Sequence, residues 1–250
     1  ICSTALKGPG PDEITNFGSV GINEKKREFY LTDHGKKKIF TYSLDSVLAD
    51  PQNYTHTVKA DLGDYIPMRY IYVNDTLSYG TFMWPQPGRP FDVTIAKWNM
   101  VTGATTPLNY INPEIKRVRA SFAVSLEQNV IVECFSHNDL MTILDLDGNL
   151  KYNVEGPDWD NEVSNRRDFF NDVLIAGDKI IAITSLGGSH SSKEALTTTL
   201  FVFDLRGKYL QTLEIGYDIE GFCYDKDNNR LIFCFNDEIQ YGYLDLKGLI

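Results

Sequence analysis

Three short apolar runs stand close together near the end of the chain. They are Gly221-Phe222-Cys223-Tyr224, Leu231-Ile232-Phe233-Cys234-Phe235 and Ile239-Gln240-Tyr241-Gly242-Tyr243-Leu244-Asp245-Leu246. Asp225-Lys226-Asp227-Asn228-Asn229 separates the first pair, Asn236-Asp237-Glu238 the second, and Lys247-Gly248 closes the set. Aromatic and β-branched residues in short runs, broken by Asn, Asp and Gly, are the signature of antiparallel strands joined by tight turns. Residues 219–250 therefore read as three strands of one small sheet.

The same pattern recurs upstream. An apolar run followed by Asp-Leu, a variable residue and Gly appears at Leu144-Asp145-Leu146-Asp147-Gly148, Phe203-Asp204-Leu205-Arg206-Gly207 and Leu244-Asp245-Leu246-Lys247-Gly248, with looser copies ending at Gly103 and Asp45. Residues 122–135 (FAVSLEQNVIVECF) parallel residues 222–235 (FCYDKDNNRLIFCF) almost position for position. Residues 17–31 fit the same template, residues 173–183 fit it with a tighter turn at Gly177-Asp178, and residues 70–82 fit it less well. A step of roughly 50 residues is the period of a propeller or an array. Five units are legible, each with three or four strands.

The last unit stops after its third strand, while the chain opens on a loose segment at residues 2–6. In a closed ring that segment can complete the final unit and remove the exposed sheet edges of an open array. We expect an all-β chain forming one domain over residues 1–250, a β-propeller of five or six blades closed by the N-terminal strand. Helix is confined to short connections, with 45–49 and 161–169 the candidates. Residues 85–90, rich in Pro, and 187–195, rich in Gly and Ser, read as loops rather than strand.

The chain carries a formal net charge of -10 over 250 residues, which argues against a sequence-independent nucleic-acid partner. It has no apolar run long enough for a membrane-spanning helix, and its first seven residues have no signal-peptide pattern. Of four cysteines, Cys134 and Cys234 lie inside apolar runs and read as core residues; a Cys223–Cys234 bridge across one hairpin stays open. No CxxC pair suggests zinc. His34, His56, His137 and His190 are far apart and read as turn or surface residues, and no nucleophile elbow or phosphate loop is present. The acidic runs at 225–229 and 145–149 lack the Gly and Glu that a calcium loop requires and read as hairpin turns.

The segment Leu6-Lys7-Gly8-Pro9-Gly10-Pro11-Asp12-Glu13, followed by Tyr30-Leu31-Thr32-Asp33 and Ile39-Phe40, resembles the TolB-like six-bladed propeller proteins of Gram-negative bacteria, and the broader repeat is similar to NHL-type propellers. The resemblance implies an exported protein, periplasmic or associated with the outer membrane, often lipid-anchored in its precursor and of unassigned function.

In a propeller the innermost strand of each blade lines the central channel. Aligned units put Phe17, Met68 or Arg69, Arg119, Asn171 and Glu220 at equivalent positions near its mouth. Arg69 and Arg119 could recognise a carboxylate or phosphate, or could pair with an acid such as Glu220. Glu220 and Asn171 could ligate Ca2+, a hard cation. Trp84, Phe91 and Trp159 fall in connections, where aromatics make protein or carbohydrate contacts or cap the spaces between blades. The leading expectation is a non-enzymatic binding module without a cofactor, serving a protein partner or small ligand. The competing one is a Ca2+-dependent lactonase or esterase in the channel.

Overall fold

A computed structural model describes residues 5–52, 54–61, 66–86, 89–115, 119–160, 167–189 and 197–250. The chain divides into two compact units, Ile1–Leu108 and Asn109–Ile250.

The first unit holds two four-stranded antiparallel sheets. One contains β1 (Phe17–Asn23), β2 (Glu28–Asp33), β3 (Lys38–Ser43) and β4 (His56–Asp61); the short helix α1 (Leu44–Ala49) sits between β3 and β4. The other contains β5 (Arg69–Asn74), β6 (Leu77–Gln86), β7 (Arg89–Trp98) and β8 (Thr105–Pro107). The second unit holds β9 (Ala120–Ser125), β10 (Val130–Phe135), β11 (Leu140–Leu144) and β12 (Leu150–Glu155), then β13 (Arg167–Ala176), β14 (Lys179–Ser189), β15 (Thr199–Asp204) and β16 (Tyr209–Glu214). Its third sheet is β17 (Ile219–Asp225), β18 (Arg230–Phe235) and β19 (Tyr241–Asp245). Every sheet is a meander in sequence order. The last has three strands among the described residues, and the expected closing segment at 1–4 lies outside them.

The repeat seen in the sequence has a local cause. In the close of the third strand, Asp145 Oδ1 accepts the amides of Asp147 (2.9 Å) and Asn149 (2.8 Å), and Gly148 turns the chain at φ +82°. Asp204 does the same for Arg206 and Lys208 (both 2.9 Å), with Gly207 at φ +81°. Asp245 holds Lys247 (2.9 Å) before Gly248 at φ +75°. A short carboxylate that satisfies the turn amides, plus a residue free of the Cβ penalty at positive φ, is what this turn demands.

Strand alternation then builds the cores. On β14, Ile180 and Ala182 join Val132, Cys134, Ile143, Phe170 and Phe203 in one buried cluster. Ile181 and Ile183, from the opposite face of the same strand, join Ile219, Leu231, Phe233 and Phe235 in another. A sheet buried on both faces needs apolar residues at consecutive positions, which is why Ile180-Ile181-Ala182-Ile183 is an unbroken run. In the first unit, Tyr30 and Ile39 pack on Tyr70, Phe82, Ala96 and Trp98. First strands of successive sheets lie beside one another, β1 by β5, β9 by β13 and β13 by β17.

Several expectations are corrected. Helix α1 matches the 45–49 candidate, but Arg167–Phe169, expected in a helix, opens β13. Residues 85, 86, 89 and 90 belong to strands because β6 and β7 form a long hairpin whose register shifts between Trp84 and Gln86, so Pro85 falls where a ladder bond is not required. Gly187–Ser189 extends β14 and pairs with Arg167 and Asp168. His56 lies on β4 with its ring against Phe40 and Tyr42, not at the surface; His190 lies outside the described residues. Cys223 pairs in register with Ile232 while Cys234 pairs with Gly221, so the two thiols do not face each other, and both are free.

Candidate functional site

A cleft of about 330 Å³ opens in the second unit between the β9–β12 and β13–β16 sheets. Its walls carry the rings of Phe169, Phe170, Phe201, Phe203 and Tyr209. Protein interiors tolerate few voids larger than one water, whereas this volume equals that of on the order of ten waters. It lies at the small end of the range for ligand pockets and is apolar with a few polar groups, as such pockets are.

Local irregularities hold it open. Consecutive residues of a regular strand point to opposite faces, yet Phe169 and Phe170 both line the cleft. The β13–β14 register shifts on either side of Phe170: Asp168 pairs with Gly188, Phe170 with Thr184 and Asp172 with Ile183. Residues 185–187 bulge out of β14 as a result. Leu186 there has φ +52° and is 58% exposed at the cleft wall, and its amide donates to Thr184 Oγ1 (3.0 Å). A leucine at positive φ is strained by about 1 kcal/mol or more, and such strain gathers at functional positions. Gly207, in the turn between β15 and β16, also lines the cleft, and a Cβ there would stand 2.2 Å from Val154 Cγ2 of the facing sheet.

One end of the cleft is acidic. Asp139, Glu155 and Asp158 line it, around Gly156-Pro157. Asp158 accepts from Arg167 Nη2 at 2.7 Å, and the Arg167 guanidinium lies 5.0 Å over the Phe169 ring. Asp139 accepts the amide of Asp158 at 3.1 Å. Burial raises the Asp139 carboxyl above the ordinary range, and the nearby Asp158 charge adds to this against the amide bond and Arg167. Beside this end His137 Nδ1 meets Asp168 Oδ1 at 3.1 Å.

The residues expected at the channel mouth are placed as follows. Arg69 is the first residue of β5 and Arg119 directly precedes β9 as an exposed side chain; Asn171 lies in β13 and Glu220 second in β17. Arg69, Arg119 and Glu220 thus lie at or just before the starts of first strands, whereas Asn171 lies in the middle of its strand. Asn171 Oδ1 accepts from Ser185 Oγ (2.7 Å), and Glu220 Oε2 lies 3.9 Å from the Cys234 thiol. Among the described residues Arg119, Asn171 and Glu220 do not bond to one another, and no group of three or more His, Cys, Asp or Glu could hold a metal. Trp84 lies on strand β6 rather than in a loop, with Nε1 donating to Thr94 Oγ1 (2.9 Å) and its ring beside Phe82. Trp159 packs on the Ile115, Phe135 and Leu140 cluster. Phe91 belongs to β7, and its side chain lies outside the described residues.

Comparison with known proteins bears on the fold. A family model described as DUF5128, 6-bladed beta-propeller, matches residues 3–81. The chain is also similar to the crystal structure of a member of the DUF4221 family from Bacteroides vulgatus ATCC 8482, with a TM-score of 0.66 at 9% identity over 97% of this chain and 82% of that one. The fold is a β-propeller. Five blade sheets lie among its described residues, against six in the description of the matching family. No curated protein matches the sequence.

The cleft was not visible in the sequence, because its lining runs from Asp139 to Tyr209 and each aromatic alone reads as core. The available signals were Phe169-Phe170, adjacent aromatics where a strand alternates, and the acids flanking Gly156-Pro157. A second missed group is Glu133, partly buried on β10 opposite Phe122 and Thr142, without a hydrogen-bond partner among the described residues. Burial pushes its carboxyl up to about 7.

Proposed function

We propose that this propeller is a non-enzymatic binding module that takes a small, largely apolar ligand in the cleft between its third and fourth blade sheets. The observation that carries the reading is the five-ring lining of a 330 Å³ opening held by a bulged strand. Apolar burial supplies the affinity, since each ring withdraws a large area from water, and the few polar groups at one end orient the ligand. The propeller match supports this reading at the level of fold, which hosts many functions. A location in the cell envelope, with a lipid anchor in the precursor, is part of the same proposal, and the resemblance of residues 6–13 to exported propellers is what supports it.

Ligand-observed NMR with a fragment mixture tests the site. The comparison protein is Leu186→Trp, which enlarges an exposed side chain at the cleft wall without entering the packed core. We expect fragments that bind the native protein to lose at least about tenfold in affinity for the variant. Equal binding by both proteins would place the ligand elsewhere.

A further inference from the structure

We infer that the ligand of this cleft is a single saturated alkyl chain, the tail of an amphiphile whose head is not anionic and stays in water. This names the ligand class of the binding site proposed above and rests on that reading.

The hydrogen-bond donors at the cleft are already in use. Thr184 and Tyr209 carry the only side-chain donors of its described lining. Thr184 is 2% exposed and its hydroxyl accepts the Leu186 amide, while the Tyr209 hydroxyl shares a 2.7 Å hydrogen bond with Thr212 Oγ1. In the irregular backbone the Gly156 amide donates to the Asp139 carbonyl (2.8 Å), the Gly207 amide donates to that of Asp204 (3.0 Å), and Pro157 has no N–H. The acidic end is satisfied internally as well. Asp139 accepts the Asp158 amide, Arg167 pairs with Asp158, and the same guanidinium charge acts on Asp139. A ligand carboxylate or phosphate placed here would lose its water without gaining a donor. Recognition is left to apolar contact.

The rings then select the shape of the apolar part. Phe201, Phe203 and Tyr209 meet edge to face, with interplanar angles of 88°, 90° and 75° and centroids 6.2, 5.9 and 6.0 Å apart. The Arg167 guanidinium lies over Phe169. A flat aromatic ligand gains most from stacking between parallel ring faces. The chain makes such a stack in its core, where Phe233 and Phe235 are 15° from parallel, but not around the cleft among the described residues. Perpendicular rings form corners instead, which a chain follows by rotating about its own bonds. Met141, Val154 and Leu186 add aliphatic surface to the lining. A methylene fills about the volume of a water, roughly 30 Å³, so the 330 Å³ cleft holds a chain of about eight to ten carbons.

A series of straight-chain alcohols from 1-butanol to 1-decanol tests this, titrated into the full chain at pH 7 by ligand-observed NMR beside octanoate and 2-phenylethanol. We expect affinity to rise about fourfold per methylene and to level off near ten carbons. The Leu186→Trp protein should bind the longer alcohols at least about tenfold more weakly. Octanoate should bind at least about tenfold more weakly than 1-octanol, and 2-phenylethanol no tighter than 1-pentanol, its near equal in transfer from water. Flotation with phosphatidylcholine vesicles, abolished by Leu186→Trp, would assign the chain to a bilayer lipid; alcohol binding without flotation assigns it to a free amphiphile. If 2-phenylethanol binds tighter than 1-pentanol, or octanoate matches 1-octanol, and Leu186→Trp weakens them, the alkyl assignment is overturned and the binding cleft stands. Absence of binding by every probe and by the fragment mixture overturns both.

Discussion

Replacing Glu133 by Gln should stabilise the protein at pH 8 and do little at pH 5. Glu133 interrupts the apolar run of β10, pairs with Phe122 and Thr142 in register, and its side chain makes no hydrogen bond among the described residues. An ordinary Glu titrates at 4.5, whereas burial pushes this one up to about 7. A folded-state value above the unfolded one means that the folded protein holds the proton more tightly. Stability is then full below about pH 4.5, falls as pH rises through 7, and stays low above it. The interval corresponds to about 3 kcal/mol at most. The assay is urea unfolding of both proteins at pH 5 and pH 8, read as the change in their difference, which cancels any fixed effect of the amide. We expect that difference to move by about 2 to 3 kcal/mol in favour of the variant at pH 8. A difference independent of pH would refute the assignment of an unpaired, desolvated carboxyl to β10.

Other outcomes follow from the same reasoning. Asp33→Asn should lower stability by about 2 to 3 kcal/mol at pH 7. Burial alone would raise this carboxyl, but the amides of Thr15, Asn16, Lys36 and Gly35 hold it below the ordinary range. Its contribution is present above about pH 4 and is lost as pH falls through the depressed value, so thermal melts of the two proteins should converge in acid. Leu186→Gly removes the positive-φ strain while losing an exposed side chain. Its melting temperature should therefore be unchanged or higher even as ligand affinity falls, and a clear drop would show that Leu186 is structural. Treatment with EDTA followed by calcium should leave the melting temperature unchanged; a rise of roughly 5 to 10 °C would favour the Ca2+-dependent hydrolase reading and return attention to Glu220 and Asn171.

What was legible in the sequence is what is local. The Asp-Leu-x-Gly close could be read because the carboxylate, the amides it caps and the glycine lie within four residues, and the hairpins at 122–135 and 222–235 because strand periodicity and turn chemistry agree there. Composition misled where the backbone departs from regularity. The prolines at 85 and 90 and the glycines at 187 and 188 signal loops, yet a long hairpin and a bulged strand absorb them. The cleft arises from contacts between residues up to 70 positions apart and from a register shift that no periodicity records. Glu133 was the exception, a charged residue inside an apolar run and a signal that could have been weighed.

The most direct test of the binding cleft is a map of backbone amide shifts in isotopically labelled protein titrated with a fragment that binds in the ligand-observed screen. We expect the changes to concentrate at Thr184 and Leu186 on β14, at Gly207 in the β15–β16 turn and at Tyr209 at the start of β16, and to saturate together. Changes confined to Arg119, Asn171 and Glu220 would contradict the cleft and place the ligand at those residues instead.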